Sequence, residues 1–236
     1  MVLDGRPPWA YIRGMRNLLA ATVIVLAAAA TPAFAQSEWI EFASPKDGFT
    51  ANFPGQPKIT ETTFRSEFGA DLPARVYSAE SGPGRYSLTV VDYNHVERLL
   101  TEKSKSCPPG AEVCKGNTAA TSSTGAGYWK VDLAGAVIYA TWQFMQRDAR
   151  VTELTWNNID FVEGHQLQLT NNKDKSRTHA AIYMHENKLY IVDATVPEGY
   201  PEPGLFQQSL GWIDETGKGF RYRSLYHNGL PVPPKR

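Results

Sequence analysis

The residues best suited to chemistry lie close together in the second half of the chain: Arg177, His179, Tyr183 and His185, followed by Lys188 and Tyr190. If residues 177–185 and 188–196 are strands joined by a turn at Glu186-Asn187, period-two alternation puts the first four on one face, with Lys188 and Tyr190 across the hairpin. Such a basic and aromatic face suits a carboxylate, a phosphate or an acidic protein loop, because guanidinium and imidazole groups donate to anions while tyrosines supply rigid contact area. The competing reading is a sheet face covered by a helix, with Tyr183 and Tyr190 packed and the charges at its ends. His179 and His185 are separated by roughly 20 Å along a strand, too far to share one metal ion. His165 can approach His179 across neighbouring strands, but it shares parity with Phe161, Leu167 and Leu169, which fits a hydrogen-bonded histidine at the edge of the core.

Motifs for other chemistries are missing from the sequence. No serine sits in G-x-S-x-G, and Gly125-x-Gly127 lacks the third glycine of a dinucleotide loop. Gly217-Lys218-Gly219 has no Ser or Thr after its lysine, and Asn171 to Asp174 has too few carboxylates for a calcium loop. No cofactor, metal or catalytic residue is therefore expected, and the leading reading is a non-catalytic binding or accessory module. Its partner would be an envelope protein or a small anionic ligand. The rival is a hydrolase or metal-dependent enzyme whose site forms only in three dimensions, from His165, His179 and nearby acids.

Cys107 and Cys114 are the only cysteines. In an exported chain, C-x6-C spacing around Pro108-Pro109-Gly110 reads as a disulfide closing a short loop, since a redox pair favours C-x-x-C and two ligands make no zinc site. Replacing either cysteine by Ser is expected to cost about 2–3 kcal/mol and lower the melting temperature by roughly 4–12 °C. Unchanged melting, with both wild-type thiols open to alkylation, is the opposing result.

The elements that position these residues follow from periodicity. Residues 39–53 alternate aromatic and polar side chains, with Phe49, Ala51 and Phe53 on one face, and Pro54-Gly55 turns the chain. Strands are predicted at 57–64, 74–80 and 86–93. A short helix follows, capped by Asn94, with Val96, Leu99, Leu100 and Lys103 at helical spacing. Residues 116–127 read as a polar loop. A long helix over 131–148 carries a stripe of Ala134, Val137, Ile138, Thr141, Trp142 and Met145 assigned to the core. Strands at 151–156, 161–170, 177–185 and 188–196 come next. The last two form a hairpin in which Met184 faces Leu189 and Ile182 faces Ile191. A final helix is predicted over 203–212, with Leu205, Phe206, Leu210 and Ile213 inward, before a Pro-rich, partly frayed tail.

The first 35 residues read as an export signal: Arg13 and Arg16 precede an apolar run over 18–30, and Ala33-Phe34-Ala35 offers a signal-peptidase site before Gln36. The apolar run makes about 20 Å of helix, short of a bilayer core of roughly 30 Å, so a transmembrane anchor is the weaker reading. Gln36, not a cysteine, stands immediately after the cleavage site, so a lipid anchor is not expected, and the location is periplasmic or secreted. Charge is balanced, with 24 Lys+Arg against 24 Asp+Glu, which supplies no broad attraction to nucleic acid or anionic membranes. The chain thus reads as a signal peptide over 1–35, one α+β domain over 36–213 and a C-terminal extension over 214–236.

Taken in order, Phe49-x-Ala51-x-Phe53-Pro54-Gly55-x-Pro57, the strand meander, the long mid-chain helix, Leu189-Tyr190-Ile191-Val192 and Phe206-Gln207-Gln208-Ser209-Leu210 resemble the PsbP-like family. That family includes the extrinsic P-subunit of photosystem II and exported bacterial proteins. The resemblance covers roughly residues 38–213. It implies an α/β/α sandwich, an antiparallel sheet covered by helices, and accessory binding in preference to catalysis. No family metal or cofactor residue can be matched onto this chain.

Overall fold

The computed structural model describes residues 38–109, 128–228 and 231–236. The predicted signal peptide, the polar loop at 116–127 and Cys114, with its proposed bridge to Cys107, lie outside the described residues.

Strand-forming segments with period-two alternation assemble into two antiparallel sheets. The larger has seven strands in the order β3-β4-β5-β9-β8-β7-β6. These are β3 (Lys58–Arg65), β4 (Asp71–Ser81), β5 (Gly84–Asp92), β6 (Ala149–Ile159), β7 (Val162–Asn171), β8 (Arg177–His185) and β9 (Lys188–Val196). The smaller sheet comprises β1 (Trp39–Ser44), β2 (Phe49–Pro54), β10 (Gly211–Ile213) and β11 (Gly219–Phe220). The β8–β9 register places Met184 opposite Leu189 and Ile182 opposite Ile191, as the sequence predicts. Its tight turn uses Glu186 and Asn187, both at positive φ (48° and 57°), the geometry whose twist matches a two-residue hairpin.

Each face of the large sheet has its own apolar core. On one face, Leu72, Ala74, Val91, Leu167, Leu169, Ala180, Ile182 and Leu189 pack beneath α1 (Val96–Lys105) and α2 (Tyr128–Met145). On the other, Tyr77, Tyr86, Leu88, Tyr183 and Tyr190 pack against Phe49 and Phe53 of β2, Trp212 of β10 and Phe206 of the short helix α3 (Gly204–Gln207). The architecture is mostly antiparallel sheet with few helices: α1 and α2 cover one face, and the small sheet covers the face where a second helical layer was expected. The physical reason is the spacing of the large aromatics: Phe49 and Phe53 repeat with period two, so they seal the face as a second sheet.

Local boundaries differ from expectation for identifiable reasons. Residues 39–53 form two strands, because the 45–48 segment turns back with Gly48 at φ +74°. Asn94 does not cap α1; its amide is bonded to Asp92 Oδ1, and the helix starts one residue later, at Val96, without a side-chain cap. The predicted 203–212 helix stops at Gln207, leaving Leu205 exposed, and Trp212 and Ile213 belong to β10. Gly211 permits that pairing, since a Cβ there would lie 2.8 Å from Thr50 Oγ1. The tail is paired where fraying was expected: Arg236 and Arg221 exchange backbone hydrogen bonds, and Tyr222 and Tyr226 enter the aromatic core.

The long helix is turned about its axis relative to its predicted stripe. Its buried side is Asp132, Ala136, Ala140, Thr141 and Phe144, while Ala134, Ile138, Trp142 and Met145 are exposed. A helix that is apolar nearly all round gives periodicity little to choose by, and the buried Ser66–Asp132 hydrogen bond and the Thr141–His165 bond (2.9 Å) select the orientation.

Candidate functional site

The five residues singled out from the sequence are brought together, but inside the protein. His179, His185, Tyr183 and Tyr190 are all buried beneath the small sheet. Tyr183 stands opposite Tyr190 in the ladder, and His185 opposite Lys188. Tyr183, His185 and Tyr190 have their polar atoms engaged, while Arg177 Nε is buried without a hydrogen-bond partner among the described residues. Asn157 Nδ2 donates to the Tyr183 hydroxyl (3.1 Å), His185 Nε2 meets the Tyr222 hydroxyl (2.8 Å), and the Tyr190 hydroxyl donates to the Asp47 carbonyl (2.5 Å). Arg177, at the end, donates to Glu202 Oε1 (2.9 Å) and to the Tyr200 carbonyl. Burial pulls the His185 imidazole down to about 4 and the Tyr190 hydroxyl well up, so both are neutral near pH 7. A face closed by Phe49, Trp212 and Tyr222 has no room for an incoming anion.

His165 and His179 do not meet either. His165 lies opposite Ile182, on the helix-covered side, whereas His179 lies opposite Gln168 and faces the small sheet. Among the described residues, no group of three or more His, Cys, Asp or Glu side chains could hold a metal ion.

An open polar site occurs instead on the opposite face, where the helices end. Along β5 the helix-side positions run Val91, Thr89, Ser87, Arg85; along β9 they run Leu189, Ile191, Asp193, Thr195; along β4, Leu72, Ala74, Val76, Ser78, Glu80. Each series is apolar beneath α1 and α2 and polar beyond them. Cross-strand pairing aligns the polar ends into two rows. One runs Lys58, Ser78, Ser87, Asp193; the other runs Glu80, Arg85, Thr195, Thr178. Together with Arg147, just past the end of α2, all of these except Thr178 line a hollow of about 570 Å³.

The electrostatics of this hollow are cationic at two open positions. Arg147 is held in place, its guanidinium 2.8 Å from Asp193 Oδ2 and 3.8 Å from the centre of the Phe144 ring. Lys58 and Arg85 form no ion pair within 4 Å among the described residues, although Glu80 stands opposite Arg85 in the ladder and the Arg85 charge helps to lower the Asp174 carboxyl. Ser78 and Ser87 bring hydroxyl donors between them, and Thr195 is oriented by Thr178 (Oγ1–Oγ1 2.9 Å). An ammonium, a guanidinium and hydroxyls around one hollow are the donor set for a carboxylate, sulfate or phosphate group. Sequence reading overlooked these residues. The signal it could have used is the shift from apolar to polar within one parity of β4, β5 and β9.

The second unforeseen cluster holds the two layers together. Asp47, at the tip of the β1–β2 hairpin, is fully buried and accepts from Arg75 Nε (2.7 Å), the second Arg75 nitrogen and the Tyr77 hydroxyl. Lys188 Nζ lies 3.9 Å from the same carboxylate and donates to the Lys46 carbonyl (2.9 Å). Burial alone would raise the Asp47 carboxyl, but the Arg75 and Tyr77 hydrogen bonds and the Lys188 charge together hold it below its usual value.

The fold and hollow define an antiparallel two-sheet α+β protein with a cationic recess and a closed aromatic core. No family model matches the sequence, and no curated protein matches it. Among solved structures, the chain is similar to the solution structure of cyanobacterial PsbP (CyanoP) from Synechocystis sp. PCC 6803. That match has 13% identity and a TM-score of 0.35, covering 72% of this chain and 86% of that one. Among the described residues, no helix is long and apolar enough to cross a membrane.

Proposed function

We propose that this chain is an exported, non-catalytic binding or accessory module of the cell envelope, with a PsbP-like fold, that captures an anionic group in the hollow lined by Lys58, Arg85 and Arg147. The carrying observation is the pair of open cations, Lys58 and Arg85, flanking the Ser78 and Ser87 hydroxyls on a rigid sheet. The export reading is supported by the apolar run over 18–30 and by Ala33-Phe34-Ala35. Strand-borne side chains suit recognition, because the sheet holds their spacing without ordering a loop on binding. The ligand class is an acidic peptide side chain or a small carboxylate, sulfate or phosphate compound.

Inorganic phosphate and sulfate are the probes, compared with chloride at equal ionic strength. At about 100 times its dissociation constant, a bound anion stabilises the folded state by about 2.7 kcal/mol, which raises the melting temperature by roughly 5–11 °C. The K58A/R85A variant is expected to melt as the wild type does in chloride and to lose the anion-dependent rise. An equal rise in wild type and variant would overturn the site, as would no rise in either.

A further inference from the structure

The outer side of α2 carries an apolar pattern that stands exposed among the described residues. Val131 (49% exposed), Ile138 (65%), Trp142 (51%) and Met145 (45%) form one stripe with the exposed Ala134, and Leu154 (45%) and Trp156 (57%) of β6 lie exposed on the same, helix-side face of the large sheet. Isolated exposed apolar residues are ordinary, but a contiguous uncharged stripe along a helix marks an interaction surface. The spacing 131, 134, 138, 142, 145 is also symmetric. Ala134 and Trp142 lie four residues to either side of Ile138, and Val131 and Met145 lie seven to either side.

We infer that this stripe is the interface of a homodimer, in which two α2 helices pack antiparallel about a twofold axis through Ile138. That axis sets Ile138 against Ile138, the small Ala134 against the large Trp142, and Val131 against Met145. The Ile138 contact lies on the axis and the other two are each made twice, as an isologous interface requires. Steps of three and four residues keep the stripe on one side of the helix, as side chains that interdigitate between paired helices require. Charges agree with it: Lys130 falls opposite Gln146, and no two like charges meet across the axis. The exposed apolar side chains amount to an area on the order of 600 Å² per copy, below the roughly 800 Å² per partner of a standard stable interface. The dimer is therefore a reversible one. This pairing is independent of the anion hollow.

Sedimentation velocity from about 1 µM to about 0.5 mM tests it. Wild-type protein is expected to shift from monomer toward dimer as concentration rises. I138D and I138K, which alter an exposed position, are each expected to keep the wild-type melting temperature and to weaken dimerisation by at least about tenfold. Their equimolar mixture is expected to recover the dimer, because only a twofold axis at this residue brings Asp against Lys. A wild type that stays monomeric throughout overturns the proposal, and so does a mixture that behaves as the separate variants do.

Discussion

Asp47→Ala is expected to lower the melting temperature by roughly 6–20 °C, measured by calorimetry at neutral pH. The carboxylate is fully buried and serves three groups of the large sheet at once: Arg75 and Tyr77 on β4, and Lys188 on β9. Removing one partner of a buried ion pair costs about 3–5 kcal/mol, because the desolvated charge left behind has no counterpart. For a chain of this size each kcal/mol corresponds to roughly 2–4 °C. Arg75 keeps 23% of its side chain exposed and can turn partly to water, which favours the lower half of the range. The same hairpin tip is tied by the Tyr190 hydroxyl and by Lys188 Nζ, so the damage should centre on the β1–β2 hairpin. A shift under 2 °C, about the effect of a surface substitution, would show that the cluster does not hold the layers together.

Acidification from pH 7 to pH 4 is expected to remove about 3 kcal/mol of stability through His185 alone. Its imidazole is surrounded by Trp212, Tyr222 and Tyr226, with ring centres 4.4–5.7 Å away. Burial is the main cause of its fall from 6.5 to about 4; Glu186 opposes the fall, while Lys235 and Lys188 add to it. The unfolded chain therefore binds a proton near pH 6.5 that the folded chain refuses until about pH 4. The stabilisation is complete above the unfolded value and is lost as pH falls through that window. His179 and His165, also lowered by burial, act in the same direction. Below about pH 4 Asp47 adds a second loss, since its folded carboxyl sits below its ordinary value of 3.8. Urea unfolding at closely spaced pH values measures the slope. His185→Gln should reduce it between pH 6.5 and 4, and an unchanged slope in that variant would assign the acid sensitivity elsewhere.

Local pattern determined what neighbours in sequence decide. The β8–β9 hairpin was legible because Glu186-Asn187 accepts the required turn, and alternation then fixes every cross-strand pair. The strand character of β3 to β9 and the existence of both longer helices followed equally from periods of two and 3.6. Even the grouping of Arg177, His179, Tyr183, His185 and Tyr190 was readable.

What covers that group was not. Its cover comes from Phe49, Trp212 and Tyr222, which are remote in sequence, so only tertiary packing turned an apparent anion-binding face into an aromatic core. The cationic hollow has the same origin: β5 lies beside β9, placing Ser87 against Asp193 and Arg85 against Thr195 across more than a hundred residues. The rotation of α2 was likewise undecided by its composition, since apolar residues ring the helix and the polar anchors that orient it, Ser66 and His165, lie on other elements. By itself the sequence determined the strand character of β3 to β9 and the β8–β9 hairpin. The tertiary structure alone decided which faces meet water, because exposure depends on lateral contacts between segments that no local period records.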